Sequence, residues 1–381
     1  DFFVRCICTL IGASEIKLTM RALATLSTAL IWTALTGCYS DHSESVDLCQ
    51  PHEGLTPICG FQSPEDLAVL PDKSGLLVSE FGQMGDEDGR LSMLSVSDGE
   101  RTVLYASDMP SDSTAPDAGW GDPSCREPER FSPHGLDLAQ RPDSRWQLLV
   151  VNHAEHERID FFELLRNNKA VWSLTWRGCV QSNDDSLYND VATVSDGFIV
   201  SRMMSNKNTG LAMIDYFLGR DTGQVLRWSF AAGFTPVVGT EGVMPNGVAA
   251  TDSGAHVFVN LYGEDKVRVV DTNSQTVLAD LDITSADNTN WDVSQKNKLL
   301  IASHEFNFFS MINCMAARDN NCRSAFEIIE LDTRDYSQRS LIINDGSFFG
   351  AATSAVRLDD KLYIGSFVGN RIVIAPVGHG V

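Results

Sequence analysis

Short runs of alternating apolar and polar residues recur along this chain, and each is followed by a polar turn and a second, more continuously apolar run. Leu67 and Val69 lead through Pro71-Asp72 and Gly75 to Leu76-Leu77-Val78. The later second runs are Leu148–Val151, Phe198–Val200, His256–Val259, Leu299–Ile301 and Leu362–Ile364. Runs of this length with a period of two predict strands, and the turn residues between them predict antiparallel hairpins. Six such units follow one another, each opening on a polar residue or pair: Glu65-Asp66, His134-Gly135, Asn189-Asp190, Asn246-Gly247, Asp287-Asn288 and Thr353-Ser354. Successive openings lie 41 to 69 residues apart, which leaves room for a four-stranded sheet with variable outer loops. The prediction is an all-β fold, a six-bladed β-propeller over 58–381 with a central calcium-binding channel. Each opening pair would start an innermost strand, so that all six face that channel.

The first 37 residues read differently. Arg21 precedes an apolar run from Ala22 to Trp32, then Leu35-Thr36-Gly37-Cys38. A charge, a short apolar run and small residues predict a secretory leader over 1–37; a membrane-spanning helix needs roughly 20 apolar residues. The pattern also resembles a bacterial lipoprotein signal, which implies export across the inner membrane and lipidation of Cys38. Membrane contact is then expected only through that lipid, on a periplasmic or cell-surface protein. Met20 is the expected translation start, which makes 20–37 the signal and places 1–19 upstream of it. Residues 38–57, polar and irregular, are read as a tether.

The net charge of −22 excludes nucleic-acid binding by phosphate neutralisation. Six cysteines follow Cys38, and an even number in an exported chain favours disulfides. Neighbourhood suggests Cys125–Cys179, Cys314–Cys322 and Cys49–Cys59 among the fifteen possible pairings. None of the six has the short partner spacing of a zinc site. Three segments break the repeat: 108–130, rich in Asp, Ser and Pro; 202–222, with a short helical look; and the aromatic stretch Glu305–Ile312. Long irregular segments in compact domains tend to be functional, so these are candidate pocket walls.

Carboxylates and carboxamides gathered at one end of a channel are hard oxygen ligands of the kind calcium takes. Asn246-Gly247 alone is the commonest hairpin-turn signal, but here it precedes the first strand of its unit, as the other pairs do. His134, at the same register, is expected to face the channel, and an imidazole there is a plausible general base.

These positions resemble the paraoxonase family of calcium-dependent lactonases and arylesterases, within the wider group of gluconolactonase-like propellers. The likeness is carried by Pro64-Glu65-Asp66-Leu67, Phe131-Ser132-Pro133-His134-Gly135-Leu136, Leu149–His153, Tyr188-Asn189-Asp190-Val191, Pro245-Asn246-Gly247-Val248, Asp287-Asn288 and Gly350–Val356. It implies two calcium ions. One, catalytic, would be held by Glu65, Asn189, Asn246, Asp287 and Asn288; the other, structural, by Asp66, Asp190 and the backbone carbonyl of Leu136. It implies a catalytic dyad of His134 and His153, with Glu65 or Asp287 as rival bases, and a substrate pocket near His304, to which Met203 and Phe306 are added as apolar walls. Animal paraoxonases tie the N-terminal segment to a cysteine in the last strand. The last cysteine here is Cys322, so ring closure is expected to rest on strand pairing alone.

There is no Gly-x-Ser-x-Gly elbow, no His-Glu-x-x-His and no phosphate loop. The reading is a monomeric hydrolase of a small lactone or aryl ester that polarises the carbonyl with calcium. The alternatives are a sugar lactonase with a polar pocket and a calcium-stabilised binding propeller without turnover.

Overall fold

The computed structural model describes residues 49–82, 87–109, 118–154, 156–182, 185–305, 314 and 322–377. The leader, Cys38 and Phe306 lie outside the described residues. Six four-stranded antiparallel sheets follow one another in chain order. Blade 1 runs outward from Pro64–Val69 through Gly75–Glu80 and Arg90–Ser95 to Arg101–Tyr105; blade 2 from Pro133–Gln140 through Trp146–Asn152 and Arg158–Arg166 to Trp172–Gln181. Blade 3 contains Ser186–Val194, Gly197–Ser205, Gln224–Ser229 and Gly233–Pro236, and blade 4 Pro245–Ala250, His256–Leu261, Lys266–Asp271 and Thr276–Asp282. Blade 5 contains Ala286–Trp291, Lys298–His304, Phe326–Asp332 and Gln338–Asn344. Blade 6 combines Ala352–Leu358, Lys361–Ser366 and Arg371–Pro376 with Thr56–Cys59 from the start of the fold.

That last strand closes the ring. Thr56 pairs with Ile374 and Cys59 with Arg371, and the Cys49–Cys59 disulfide holds the chain just upstream. Closure therefore rests on strand pairing, as expected. The folded unit begins at Cys49 rather than at 58, so residues 49–57, read as tether, belong to the propeller. Innermost strands pack side by side around the whole ring, that of blade 6 against that of blade 1.

Each blade is covered on both faces by its neighbours, which is why the second strands read as continuous apolar runs rather than alternating ones. Leu148, Leu149, Val150 and Val151 are all fully buried, each contributing about 1.5–3 kcal/mol relative to exposure. Between blades 2 and 3, Phe161, Phe198 and Trp228 form one cluster, with Phe198 stacked on Trp228 at 5.2 Å. Cys125–Cys179 fastens the segment between blades 1 and 2 to the outer strand of blade 2, and Cys314–Cys322 closes a loop of blade 5. The helical look of 202–222 corresponds to a helix over Thr209–Phe217; it leaves Leu211, Ile214 and Phe217 exposed instead of walling a pocket with them. Among the described residues no helix is long and apolar enough to cross a membrane.

Candidate active site and metal centre

All six innermost strands share one irregularity. Pairing with the second strand slips between Pro64 and Asp66, Pro133 and Leu136, Tyr188 and Val191, Pro245 and Val248, Ala286 and Thr289, and Ala352 and Ser354. The skipped residues are polar openings singled out from the sequence: both members of the pair in blades 2 to 5, and Glu65 and Thr353 alone in blades 1 and 6, where Asp66 and Ser354 stay paired with Ser79 and Gly365. A bulge takes residues out of the ladder and re-aims them, and repeated six times it turns Glu65, His134, Asn189, Asn246 and Asp287-Asn288 toward common partners. Asn246-Gly247 is thus part of strand Pro245–Ala250 and not a hairpin turn. Its glycine is needed for close approach, because a β-carbon at Gly247 would collide with the Asp287 carbonyl and Asn260; one at Gly135 would meet Asp190.

Apart from His134, whose side chain is 12% exposed, the openings are buried, and they are interconnected. Asn288 Nδ2 donates to Glu65 Oε1 at 2.8 Å, and the Asn246 side chain lies close enough to Asp287 to favour its charged form. At the openings four buried side-chain oxygens have no hydrogen-bond partner: Glu65 Oε2, Asn189 Oδ1, Asn246 Oδ1 and Asn288 Oδ1. Buried acceptors are rarely left so, and these come from blades 1, 3, 4 and 5. Among the described residues no group of three or more His, Cys, Asp or Glu is assembled for a metal; the donors here are mainly carboxamides. That donor set fits calcium, which accepts neutral carbonyl oxygens readily.

Asp66 and Asp190 form a second pair. Asp66 accepts from the amides of Leu67 (2.8 Å) and Leu136 (2.9 Å) and from Ser354 Oγ (2.6 Å). Asp190 accepts from the amides of Val191 and Val248, both at 2.8 Å. Leu136 therefore reaches Asp66 through its amide, whereas its carbonyl was the group expected to serve an ion. All four carboxylate oxygens are hydrogen-bonded; Asp66 Oδ1 accepts from both Leu67 and Ser354, whereas Asp66 Oδ2 and the two Asp190 oxygens each keep a second lone pair.

Burial pushes the carboxyl groups of Glu65, Asp190 and Asp287 well above their usual range, and that of Asp66 up as well. The Asp66 charge adds to the rise at Glu65, Asp190 and Asp287. Ionising these four acids is costly wherever no nearby cation offsets their charge.

His134 donates from Nδ1 to the Asn189 carbonyl at 2.9 Å, with Glu65 Oε2 3.7 Å from the same nitrogen. Its Nε2 is then the lone-pair nitrogen. Burial, and secondarily the neighbouring His153, pull its pKa down to about 3; His134 is neutral and able to accept, but below the near-neutral basicity expected of it. The His153 ring meets it edge to face, with centroids 5.0 Å apart, so the two predicted histidines do come together. Phe81 packs edge-on against both.

His304 is buried beside Asp287, with Nδ1 3.6 Å from Oδ2. It donates from Nδ1 to the Ala352 carbonyl (2.9 Å) and accepts at Nε2 from Tyr262 (3.0 Å), and burial pulls its pKa down to about 4. Met203 is half-buried in strand Gly197–Ser205. A cleft of about 520 Å³ beside His153 is lined by Gln181, Ser182, Asp185, Asn206 and Lys207. Sequence reasoning missed Glu157, which binds His153, Tyr262, and Asn290, whose Nδ2 donates to Ser354 Oγ at 3.0 Å. Asn290 follows Asn288 by the strand period of two and was open to detection; Glu157, in a loop, carried no signal.

A family model described as Arylesterase matches residues 86–373. No curated protein matches the chain. Among solved structures it is similar to a gluconolactonase from Xanthomonas campestris (13% identity, 85% of this chain and 89% of that one, TM-score 0.48). It is likewise similar to a luciferin-regenerating enzyme (12%, 85% and 95%, TM-score 0.48) and to a glucose dehydrogenase (13%, 86% and 100%, TM-score 0.45). With the family model spanning most of the propeller, the chain belongs to the arylesterase family.

Proposed function

We propose that this propeller is a calcium-dependent hydrolase that opens lactones or aryl esters, acting as a monomer on a small molecule. The esterase-type hydrolase follows from the family; the dependence on calcium and the substrate class are the reading's own. What supports it is the set of four buried, unpartnered oxygens on Glu65, Asn189, Asn246 and Asn288 next to Asp287, with a neutral histidine alongside. These five residues would hold the catalytic ion, and Asp66, Asp190 and Leu136 the structural one. Calcium supplies Lewis acidity toward a carbonyl oxygen and toward the charge that develops there.

The chain's own residues would do the rest. His134, fixed at Nδ1 by the Asn189 carbonyl, presents Nε2 to take a proton from the attacking water. Glu65 Oε2, near His134 Nδ1, offsets the positive charge that results, and the Phe81 edge keeps the two rings in place. The polar cleft beside His153 favours a second reading, a sugar lactonase whose hydroxylated substrate lies along Gln181, Ser182 and Asn206.

The test is hydrolysis of phenyl acetate and of δ-valerolactone by chelated and calcium-restored protein, with His134→Gln and Asn246→Ala compared. Asn246→Ala should weaken calcium binding and lower turnover about 10²–10³-fold on both substrates. His134→Gln should keep calcium binding and lower turnover about 10²–10⁴-fold. A verified metal-free preparation with full activity would end the calcium reading. Full activity in His134→Gln would move the base to Glu65 or Asp287.

A further inference from the structure

We infer that Glu157 is a positioning residue of this site: it fixes the ring of His153 in one tautomer, and through that ring the orientation of His134. The inference rests on the hydrolase reading for its kinetic part only.

Glu157 ends the short turn between Trp146–Asn152 and Arg158–Arg166. Its side chain is 6% exposed, and its two carboxylate oxygens lie 2.9 and 3.0 Å from His153 Nδ1. The carboxylate is itself held, since the Tyr188 amide of blade 3 donates to Oε2 at 3.2 Å, and the Glu157 carbonyl accepts from the Ser182 amide at 2.9 Å. The adjacent Arg158 is committed elsewhere, with Nη2 2.6 Å from Asp160 Oδ1. Glu157 therefore bridges blades 2 and 3 and directs its charge at one imidazole nitrogen.

The chemical consequence is definite. A carboxylate is acceptor-only, so His153 Nδ1 must carry the hydrogen, and in the neutral ring Nε2 is the lone-pair nitrogen. The backbone fixes the other end of the ring's environment, because the His153 amide donates to the Ser132 carbonyl at 3.1 Å. His134 has the same arrangement with a carbonyl in place of the carboxylate. The two rings then differ in one respect that matters for catalysis: His153 has a full negative charge behind it. That charge offsets the positive charge the pair acquires when His134 takes a proton, and the fixed His153 ring is a wall of the space in which His134 can turn. Partners of this kind behind a reacting histidine typically affect activity about 10–100-fold.

A simply structural Glu157 would hold the turn and nothing more, so the test needs readouts that stability does not move. Calcium-replete full-length protein is compared as wild type, Glu157→Gln, Glu157→Leu, His153→Gln and the Glu157→Leu/His153→Gln double variant, with phenyl acetate kinetics, thermal melting and imidazole ¹⁵N spectra. The expected result is a fall in kcat of about 10–100-fold for Glu157→Leu with little change in KM. Glu157→Gln, which keeps an acceptor but loses the charge, should fall between it and wild type. In the His153→Gln background the Glu157→Leu step should cost almost nothing further, since linked residues are non-additive. His153 should give the Nδ1–H pattern in wild type and a mixed one in Glu157→Leu. Full kcat in Glu157→Leu, or losses that multiply in the double variant, would overturn the inference while leaving the hydrolase reading intact. Should the wild type hydrolyse neither phenyl acetate nor a δ-lactone, the hydrolase reading fails; an unchanged His153 spectrum in Glu157→Leu would then overturn the tautomer role by itself.

Discussion

Replacing Glu65 by Gln tests the metal centre through stability rather than turnover, and the structure predicts opposite signs with and without calcium. Glu65 is fully buried, Oε1 accepts from Asn288, and Oε2 has no partner. Gln keeps the Asn288 bond, removes the charge that Asp66 and Asp287 oppose, and adds a donor to a ring of unpartnered acceptors. A buried acceptor left unsatisfied costs about 1–3 kcal/mol, so the chelated variant should be more stable than chelated wild type by about that amount. At roughly 2 °C per kcal/mol for a chain of this size, it should melt about 2–6 °C higher. With calcium at about 100 times Kd, wild type gains about 2.7 kcal/mol, near 5 °C. Losing a carboxylate ligand should weaken the ion at least as much as losing a second-layer partner, about 10–100-fold. The calcium gain then falls to about 0.4–1.4 kcal/mol, or roughly 1–3 °C. The assay is differential scanning fluorimetry of both proteins across a calcium titration after chelation. Equal calcium-dependent gains, or a chelated variant that melts below chelated wild type, would falsify the assignment of Glu65 as a ligand.

In chelated protein the folded-state pKa values of Glu65, Asp66, Asp190 and Asp287 are raised above their ordinary 4.5 and 3.8. The native state therefore binds more protons than the unfolded one, and stability should fall as pH rises from about 4 through the raised values. Buried His134 and His304, pulled down to about 3 and 4, act the other way between pH 5 and pH 8 with or without the ion, so the readout is the calcium-induced rise in melting temperature, which should be larger at pH 8 than at pH 5; a rise that is equal or smaller at pH 8 would contradict it. Cys125 and Cys179 are 54 residues apart, so in the chain-entropy model losing that bond by Cys125→Ser with Cys179→Ser costs about 4 kcal/mol. Urea denaturation of the double variant checks it, together with peptide mapping of unreduced wild type for the pair.

The openings of the six strands were legible in the sequence because a repeated side-chain chemistry at a repeated register survives without knowledge of any partner. Even so, the reason they point inward was not legible. A bulge is a property of two strands, and nothing in Pro245-Asn246-Gly247 alone says that Val248 is the next residue to pair with Val259. The closing strand Thr56–Cys59 is four residues long and half-exposed, so it lacked the apolar run that marks the others, and the tether was drawn too far. Glu157 was invisible for a related reason: it sits four residues beyond His153 in a turn, where no period applies, and its role depends on a Tyr188 amide from the next blade. His134, which lies beside Glu65 and His153, differs in basicity from expectation, because desolvation depends on burial that only the assembled ring provides.

The bulges also explain why site and fold are hard to separate in this protein. Groups freed from the ladder find partners in the neighbouring blade, and the contacts make a complete circuit. The Leu136 amide of blade 2 binds Asp66 of blade 1, and the His134 ring binds the Asn189 carbonyl of blade 3. The Val248 amide of blade 4 binds Asp190, and Asn260 Nδ2 binds the Asp287 carbonyl of blade 5. Asn290 reaches Ser354 of blade 6, whose neighbour Thr353 returns to the Glu65 carbonyl of blade 1 at 2.6 Å. Three of the residues that would hold the catalytic ion, Glu65, Asn189 and Asp287, thus lie in a polar hoop that also joins the blades. Residues in one hydrogen-bonded network couple by about 0.5–3 kcal/mol, so a substitution at an opening acts on ring closure as well as on ligand geometry. Loss of activity at these positions therefore identifies a ligand only when melting in the chelated state is unchanged or, as for Glu65→Gln, moves the other way.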